Sequence, residues 1–135
     1  SCEIMEAKGE VHSEPLPVIE ANKTQMVQLL QNLISNSLKY RKENVLPVIN
    51  ISSALEDEGF INIVLQDNGV GIKDEYADLV FQPFERLNPQ IPGTGMGLAI
   101  CRKVVVGHGG AIKVKNLPDG GGSVFIIKLQ ERHSQ

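Results

Sequence analysis

The stretch LNPQIPGTGMGLAICRKVV, Leu87 to Val105, decides how the rest of the chain is read. Its glycine-rich turn, Gly93-Thr94-Gly95-Met96-Gly97, runs straight into Leu98 to Val105, an apolar segment with helical patterning. Glycine admits positive φ and lets the backbone come within contact distance of a ligand. The first turn of a helix offers unpaired N–H groups and the positive end of its dipole. Together these make an anion site, most often a phosphate site. Alone, such a turn is as readily a tight structural loop. Three other elements of the chain fit the same ligand.

The chain has 135 residues, which suits one domain with a real core. Hydrophobic content of 41% and charged content of 21% are those of a soluble globular protein. A net charge of −3 leaves no basic footprint and argues against nucleic acid as the main partner. Four Phe and two Tyr are too few for a stacking platform along a single strand. No apolar run approaches the roughly 18 residues of a membrane span. No signal peptide is visible, and the start, Ser1-Cys2-Glu3, reads as that of an excised fragment. Two cysteines make no disulfide framework. Cys101, inside a helical apolar pattern, reads as a buried small hydrophobe, which suits a reducing cytoplasm.

Taken in order, Glu10 to Ser13 suggests an edge strand, and Leu16 to Glu20 a short extended run with prolines. Asn22 is an expected N-cap, with Gln25 as capping-box partner. The helix that follows is expected to run to about Lys42, with Met26, Leu29, Leu30 and Leu33 as its core stripe. Asn32, Asn36 and Lys39 fall at i, i+4 and i+7 and line one face of it. Such a trio is compatible with a solvated polar face. It also supplies amide oxygens for a hard cation such as Mg²⁺ and an ammonium for phosphate oxygens. Pro47 to Leu55 and Phe60 to Gln66 read as strands, joined by a turn ending in Gly59.

The second of these strands ends in Asp67-Asn68-Gly69-Val70-Gly71-Ile72. This is compatible with plain Asp-Asn-Gly turn chemistry. It is equally suited to a flat, hydrogen-bonding ligand. The carboxylate accepts from an amino group, the glycines let a ring approach, and Ile72 covers its face. Lys73 to Val80 reads as a short acidic helix, and Phe81-Gln82-Pro83-Phe84-Glu85-Arg86 as a segment that anchors a loop. The stretch between Ile72 and Leu98 is long for a compact domain, which marks a functional loop or lid. Gly107-His108-Gly109-Gly110 stops the last helix, with His108 expected to pack at its end. Ala111 to Asn116 and Gly122 to Leu129 form an antiparallel hairpin over a Pro-Asp-Gly-Gly turn. His12 and His133 have no partner at ligand spacing, so no zinc site is expected.

These motifs, in this order, resemble the catalytic and ATP-binding domain of sensor histidine kinases, within the gyrase, heat-shock chaperone and mismatch-repair ATPase superfamily. Asn32-Leu-Ile-Ser-Asn36-Ser-Leu-Lys39-Tyr40 is similar to the family's N box and Asp67-Asn-Gly69-Val-Gly71-Ile72 to its G1 box. Phe81-Gln-Pro-Phe84 is similar to its F box and Gly93-Thr-Gly95-Met-Gly97-Leu98 to its G2 box. No Walker loop occurs in the chain. Lys39-Tyr40-Arg41, Pro92-Gly93-Thr94-Gly95 and His108-Gly109-Gly110 resemble the phytochrome-like branch.

The resemblance implies an α+β fold of the Bergerat type. A mixed, mostly antiparallel sheet of about five strands carries about three helices on one face, in two layers, with ATP between helices and lid. The whole chain, 1–135, would be one domain, with its core at about 16–130 and its lid at about 73–97. ATP and Mg²⁺ are the implied ligands. Asn36 would hold the metal, with Asn32 beside metal and phosphates. Lys39 would contact phosphate, and Tyr40 would line the ribose-phosphate side. Asp67 would accept from the adenine amino group, with Gly69, Gly71 and Ile72 around the ring. Phe84 belongs to the lid anchor, and Arg86 matches a position that reaches the γ-phosphate. Thr94, Gly95, Gly97 and Leu98 would bring the glycine turn to the phosphates.

The implied acceptor is a histidine on a separate dimerisation and phosphotransfer domain, and a response-regulator receiver domain would follow indirectly. No histidine here is followed by Glu, so the chain would not label itself. The isolated domain is expected to be monomeric, without nucleic acid or membrane span. ATP-hydrolysing relatives carry Glu where this chain has Asn32, and an amide cannot take a proton from water. Asn32 therefore favours a kinase over a hydrolase. A non-catalytic nucleotide-sensing or protein-interaction module of the same fold and a serine/threonine protein kinase are the other readings.

Overall fold

The computed structural model describes residues 10–13, 22–56, 59–83 and 96–130. Strands β1 (Glu10–Ser13), β2 (Val48–Glu56), β3 (Phe60–Asp67), β4 (Ala111–Asn116) and β5 (Ser123–Gln130) form one sheet in the order β1-β2-β3-β5-β4. β1 runs parallel to β2, and every other pairing is antiparallel. Helices α1 (Lys23–Lys39) and α2 (Gly97–Gly107) make the second layer. This is the two-layer α+β architecture that the resemblance implies.

Period-two alternation decides which face is covered. In β3, Ile61, Ile63, Leu65 and Asp67 are buried while the residues between them are not. The register carries that phase across the sheet. Leu65 stands opposite Ile51 on one side and Phe125 on the other, and Ile63 opposite Ile127. Against this face α1 lays Leu29 and Leu33, and α2 lays Leu98, Cys101, Val104 and Val105. Most of the helix stability comes from this packing rather than from propensity.

Several boundaries differ from expectation, each for a local reason. α1 ends at Lys39, not Lys42, because the chain turns at Tyr40, whose carbonyl accepts from Val70 N. Asn22 caps α1 by accepting from Gln25 N, but the capping box is only half made. The N–H of Asn22 goes instead to His108 Nε2. Lys73 to Val80 is not an α-helix. It forms two 3-10 turns, Asp74–Tyr76 and Leu79–Phe81, held by i→i+3 bonds such as Ala77 N to Asp74 O. A segment this short gains too few bonds to offset helix nucleation.

β2 starts at Val48, since Pro47 has no N–H for the ladder and offers only its carbonyl, to Glu10 N. β5 starts at Ser123, since Gly122 has φ +117°. Gly107 lies inside α2. The helix stops one residue later through a Schellman motif, Gly110 N to Val105 O and Gly109 N to Val106 O, with Gly109 at φ +75°. The extended run expected at Leu16 to Glu20 lies outside the described residues.

Candidate functional site

Three apolar series run the length of the core and end in polar residues at the same place. On α1 the series is Leu29, Leu33, Ser37 at helical spacing. On β3 it is Ile61, Ile63, Leu65, Asp67, and on β5 Leu129, Ile127, Phe125, Ser123. All three polar ends are buried. They converge on the Asp67 carboxylate. Its Oδ2 accepts from Ser37 Oγ at 2.8 Å and from Ser123 Oγ at 2.9 Å. Its Oδ1 accepts from Gly69 N at 2.9 Å and from Ser123 N at 3.3 Å. The bond to Gly69 is the turn chemistry that an Asp-Asn-Gly sequence suggests. The bonds to Ser37 and Ser123 come from elements distant in sequence. Reading by motif missed both serines. Their signal is phase: each continues a buried apolar series by one more step.

The turn after Asp67 is fitted to the protein at both glycines. A Cβ on Gly69 would stand 2.7 Å from the Tyr40 carbonyl oxygen. Gly71 has φ +81°, which L side chains rarely adopt, and a Cβ there would stand 3.2 Å from the Gly122 carbonyl oxygen. Packing at Gly69 and backbone conformation at Gly71 therefore demand these glycines. The same contact joins the turn to the end of α1, since Val70 N donates to Tyr40 O at 3.0 Å. Asn68 ties the turn to the start of β2, donating to Leu46 O and accepting from Val48 N. Ile72 is buried in the core.

Asn32 and Asn36 lie half-buried on α1, Lys39 is exposed in its last turn, and Tyr40 is its half-buried C-cap. Two cross-contacts set α1 and α2 antiparallel: Cys101 Sγ to Leu29 O at 3.7 Å, and Asn22 N to His108 Nε2 at 3.1 Å. The start of α2 therefore lies beside the turn of α1 that follows Leu29, the turn bearing Asn32 and Leu33. Gly97 is the first residue of α2, and no side chain caps that end. Among the described residues, and apart from its chain neighbours and its own helix backbone, no atom lies within 4 Å of where a Gly97 Cβ would stand. Leu98 points into the core.

His108 is structural, as expected, and its tautomer follows from its partners. Nδ1 lies 2.8 Å from the Val104 carbonyl, so it carries the proton, and Nε2 accepts from Asn22. The ring thus ties the far ends of the two helices together. Cys101 is fully buried, and burial pushes its thiol up to about 12.

Phe81 stacks edge-on against Phe125, with ring centroids 6.4 Å apart, and fastens the start of the long connection to β5. Phe84, Arg86, Thr94 and Gly95 lie outside the described residues, as does the stretch 84–95 of the expected lid.

Residues 21–133 match the family model described as histidine kinase-, DNA gyrase B- and HSP90-like ATPase. The chain is 40% identical to cyanobacterial phytochrome A of Nostoc sp., over 98% of this chain and 17% of that protein. It is 35% identical to the phytochrome-like protein Cph1 of Synechocystis sp., over 93% of this chain and 17% of that protein. Identity to the sensor protein KdpD of Escherichia coli is 36%, over 88% of this chain and 13% of that protein. The chain therefore spans less than a fifth of these relatives.

Among solved structures, the mycobacterial sensor histidine kinase MprB superposes with a TM-score of 0.79 at 26% identity, over 97% of this chain and 88% of that one. The nucleotide-free catalytic domain of histidine kinase ThkA gives 0.76 at 29%, over 96% and 84%. Full-length ShkA, solved in complex with AMPPNP, gives 0.80 at 25%, over 96% and 27%. Motif order, the sheet topology and the family match agree: this chain belongs to the family of histidine kinase-, DNA gyrase B- and HSP90-like ATPases.

Proposed function

We propose that this chain is the ATP-binding catalytic domain of a two-component sensor histidine kinase. It would bind Mg-ATP and present the γ-phosphate to a histidine on a separate dimerisation and phosphotransfer domain of its parent, in the cytoplasm. The observation that carries this reading is the Asp67 carboxylate. It is an acceptor-only group at the end of β3, bonded to Ser37, the residue that follows Asn36 on α1. A fixed acceptor there suits the exocyclic amino group of adenine. The relatives named as sensor kinases, and the AMPPNP bound to ShkA, support the same ligand.

Asn32, Asn36 and Lys39 would face the phosphates, with Tyr40 on the ribose side. Among the described residues there is no group of three or more His, Cys, Asp or Glu that could hold a metal. Amide oxygens fit Mg²⁺ when phosphate oxygens and water complete its shell, and the ion usually binds nucleotides in this way. Asn36 is the proposed protein ligand. When bound, Mg²⁺ would neutralise phosphate charge.

Gly97 suits phosphate approach, because among the described residues nothing in the protein requires a glycine there. Leu98 would fix the start of α2 by its burial. Phe84, Arg86, Thr94 and Gly95 take their proposed roles from motif order alone. In phosphoryl transfer a domain of this kind positions and stabilises charge rather than forming covalent bonds. Asn32 offers no base for water, which favours transfer to a histidine over hydrolysis. Among the described residues no helix is long and apolar enough to cross a membrane.

The test is a titration of the chain with Mg-ADP and Mg-AMPPNP, with GTP as control, followed by NMR or calorimetry. Saturable, adenine-selective binding that shifts signals near Asn36, Asp67 and Gly97 is expected. No binding at millimolar nucleotide would refute the reading. Given binding, a histidine-bearing partner domain supplied in trans should become labelled from ATP.

A further inference from the structure

Asn68-Gly69 is the one Asn-Gly pair in the chain. In an open chain such a pair modifies itself. The Gly69 nitrogen attacks Asn68 Cγ, the N–Cγ bond forms and the Cγ–Nδ2 bond breaks. Nδ2 departs as ammonia with the proton that Gly69 gives up. Water then opens the five-membered imide at either carbonyl and leaves an aspartyl or an isoaspartyl residue at position 68. Glycine favours the attack because no Cβ shields its nitrogen.

The fold holds every participant in this reaction. The Gly69 N–H donates to Asp67 Oδ1 at 2.9 Å, and a carboxylate so close disfavours loss of that proton. Asn68 Oδ1 accepts from Val48 N at 2.8 Å, and Nδ2 donates to Leu46 O at 3.0 Å. Its main-chain N–H donates to Val48 O. The side-chain amide thus carries the pairing with β2 one step beyond the end of β3. Cγ cannot swing to the Gly69 nitrogen without giving up both side-chain bonds. The peptide after Gly69 is braced as well, since Val70 N donates to Tyr40 O.

We infer that Asn68-Gly69 is a self-modification site that the folded turn keeps closed, so that the chain deamidates there only through molecules in which the turn has come away from β2 and α1. The change is one-way. A carboxylate at position 68 has no proton to offer Leu46 O and sets a second negative charge beside Asp67. An isoaspartyl residue also adds a methylene to the main chain between Asp67 and Gly69. The turn has no slack for it: a Cβ on Gly69 would already stand 2.7 Å from the Tyr40 carbonyl oxygen. Each molecule that opens and reacts is therefore lost from the pool able to rebuild the turn. This holds whether or not the turn binds a nucleotide.

The experiment is ageing of the chain in mildly alkaline buffer, folded and in denaturing guanidinium chloride. Peptide mapping by mass spectrometry locates the deamidated residue, and enzymatic methylation counts isoaspartyl groups. In denaturant, Asn68 should react faster than every other asparagine. In the folded chain it should react at least about 100-fold more slowly, because the reaction draws only on the open fraction. Sub-denaturing guanidinium should raise the rate in step with that fraction. Aged chain, once refolded, should unfold at a lower urea concentration than fresh chain, and Asn68→Asp should show the part of this due to charge alone. A folded chain that reacts at Asn68 within about tenfold of the denatured rate would overturn the closed turn. Aged chain that unfolds where fresh chain does would overturn the one-way loss.

Discussion

The two ends of the core are built from the same three elements and do opposite things. At one end, Leu29 of α1, Ile61 of β3 and its ladder partner Leu129 of β5 are all nearly inaccessible hydrocarbon. Cys101 and the ring of His108 lie toward that end and tie α2 to α1. At the other end the same helix and strands finish in Ser37, Asp67 and Ser123, joined by hydrogen bonds. Hydrocarbon packing is forgiving of direction and yields stability. Hydrogen bonds hold atoms in fixed directions and yield recognition at little net gain. The polar end is tolerated because it is fully satisfied: among the described residues no buried side-chain nitrogen or oxygen lacks a partner.

The largest contrast should come from substitutions at the two ends. Leu29→Ala should lower unfolding free energy by about 3 kcal/mol in a urea titration, through lost burial and a residual cavity. ADP affinity measured where the variant remains folded should stay within about twofold of wild type. Asp67→Asn should behave in reverse. Its amide oxygen can still face the two backbone N–H groups, and its NH₂ can donate to the rotatable serine hydroxyls. Stability should fall by no more than about 1.5 kcal/mol, while ADP affinity falls about 100-fold and the preference over IDP disappears. A stability loss as large as that of Leu29→Ala would show that the two ends are not divided as described.

A smaller effect is expected at the α1 face. Asn36→Ala should reduce the Mg²⁺ dependence of nucleotide binding about tenfold, seen as a flattened metal titration. An unaltered titration would move the metal ligand elsewhere.

The smallest effect belongs to the stability end. Folding raises the Cys101 thiol from 9.0 to about 12, so the unfolded chain ionises first as pH rises. The stability contributed by the neutral thiol is complete below pH 9 and is lost as pH climbs toward 12. The loss should reach about 1 kcal/mol by pH 10, measured as the difference between wild type and Cys101→Ala in urea titrations at pH 8 and pH 10.

Glycines make a second comparison, and they show how much of the site was legible. Both glycine turns read alike in sequence, as places where a ligand comes close. In the structure, Gly69 is demanded by the Tyr40 carbonyl and Gly71 by its positive φ, while Gly97 has open space among the described residues. The sequence pattern marks where backbone must be bare, not what approaches it. Likewise Lys73 to Val80 carries helical composition but forms two 3-10 turns, because propensity over so few residues cannot offset nucleation.

The strands, the two α-helices to within a few residues, the Asn22 cap and the order of the motifs all follow from the amino-acid pattern. Period-two and period-3.6 patterning, turn residues and caps are local, and local physics acts on neighbouring residues. That Ser37 and Ser123 close on one carboxylate, that Tyr40 receives Val70, and that Asn22 donates to His108 emerges only from the folded chain. Those partners stand far apart along the chain. A hydrogen bond between them exists only once packing has fixed both the distance and the direction of each group.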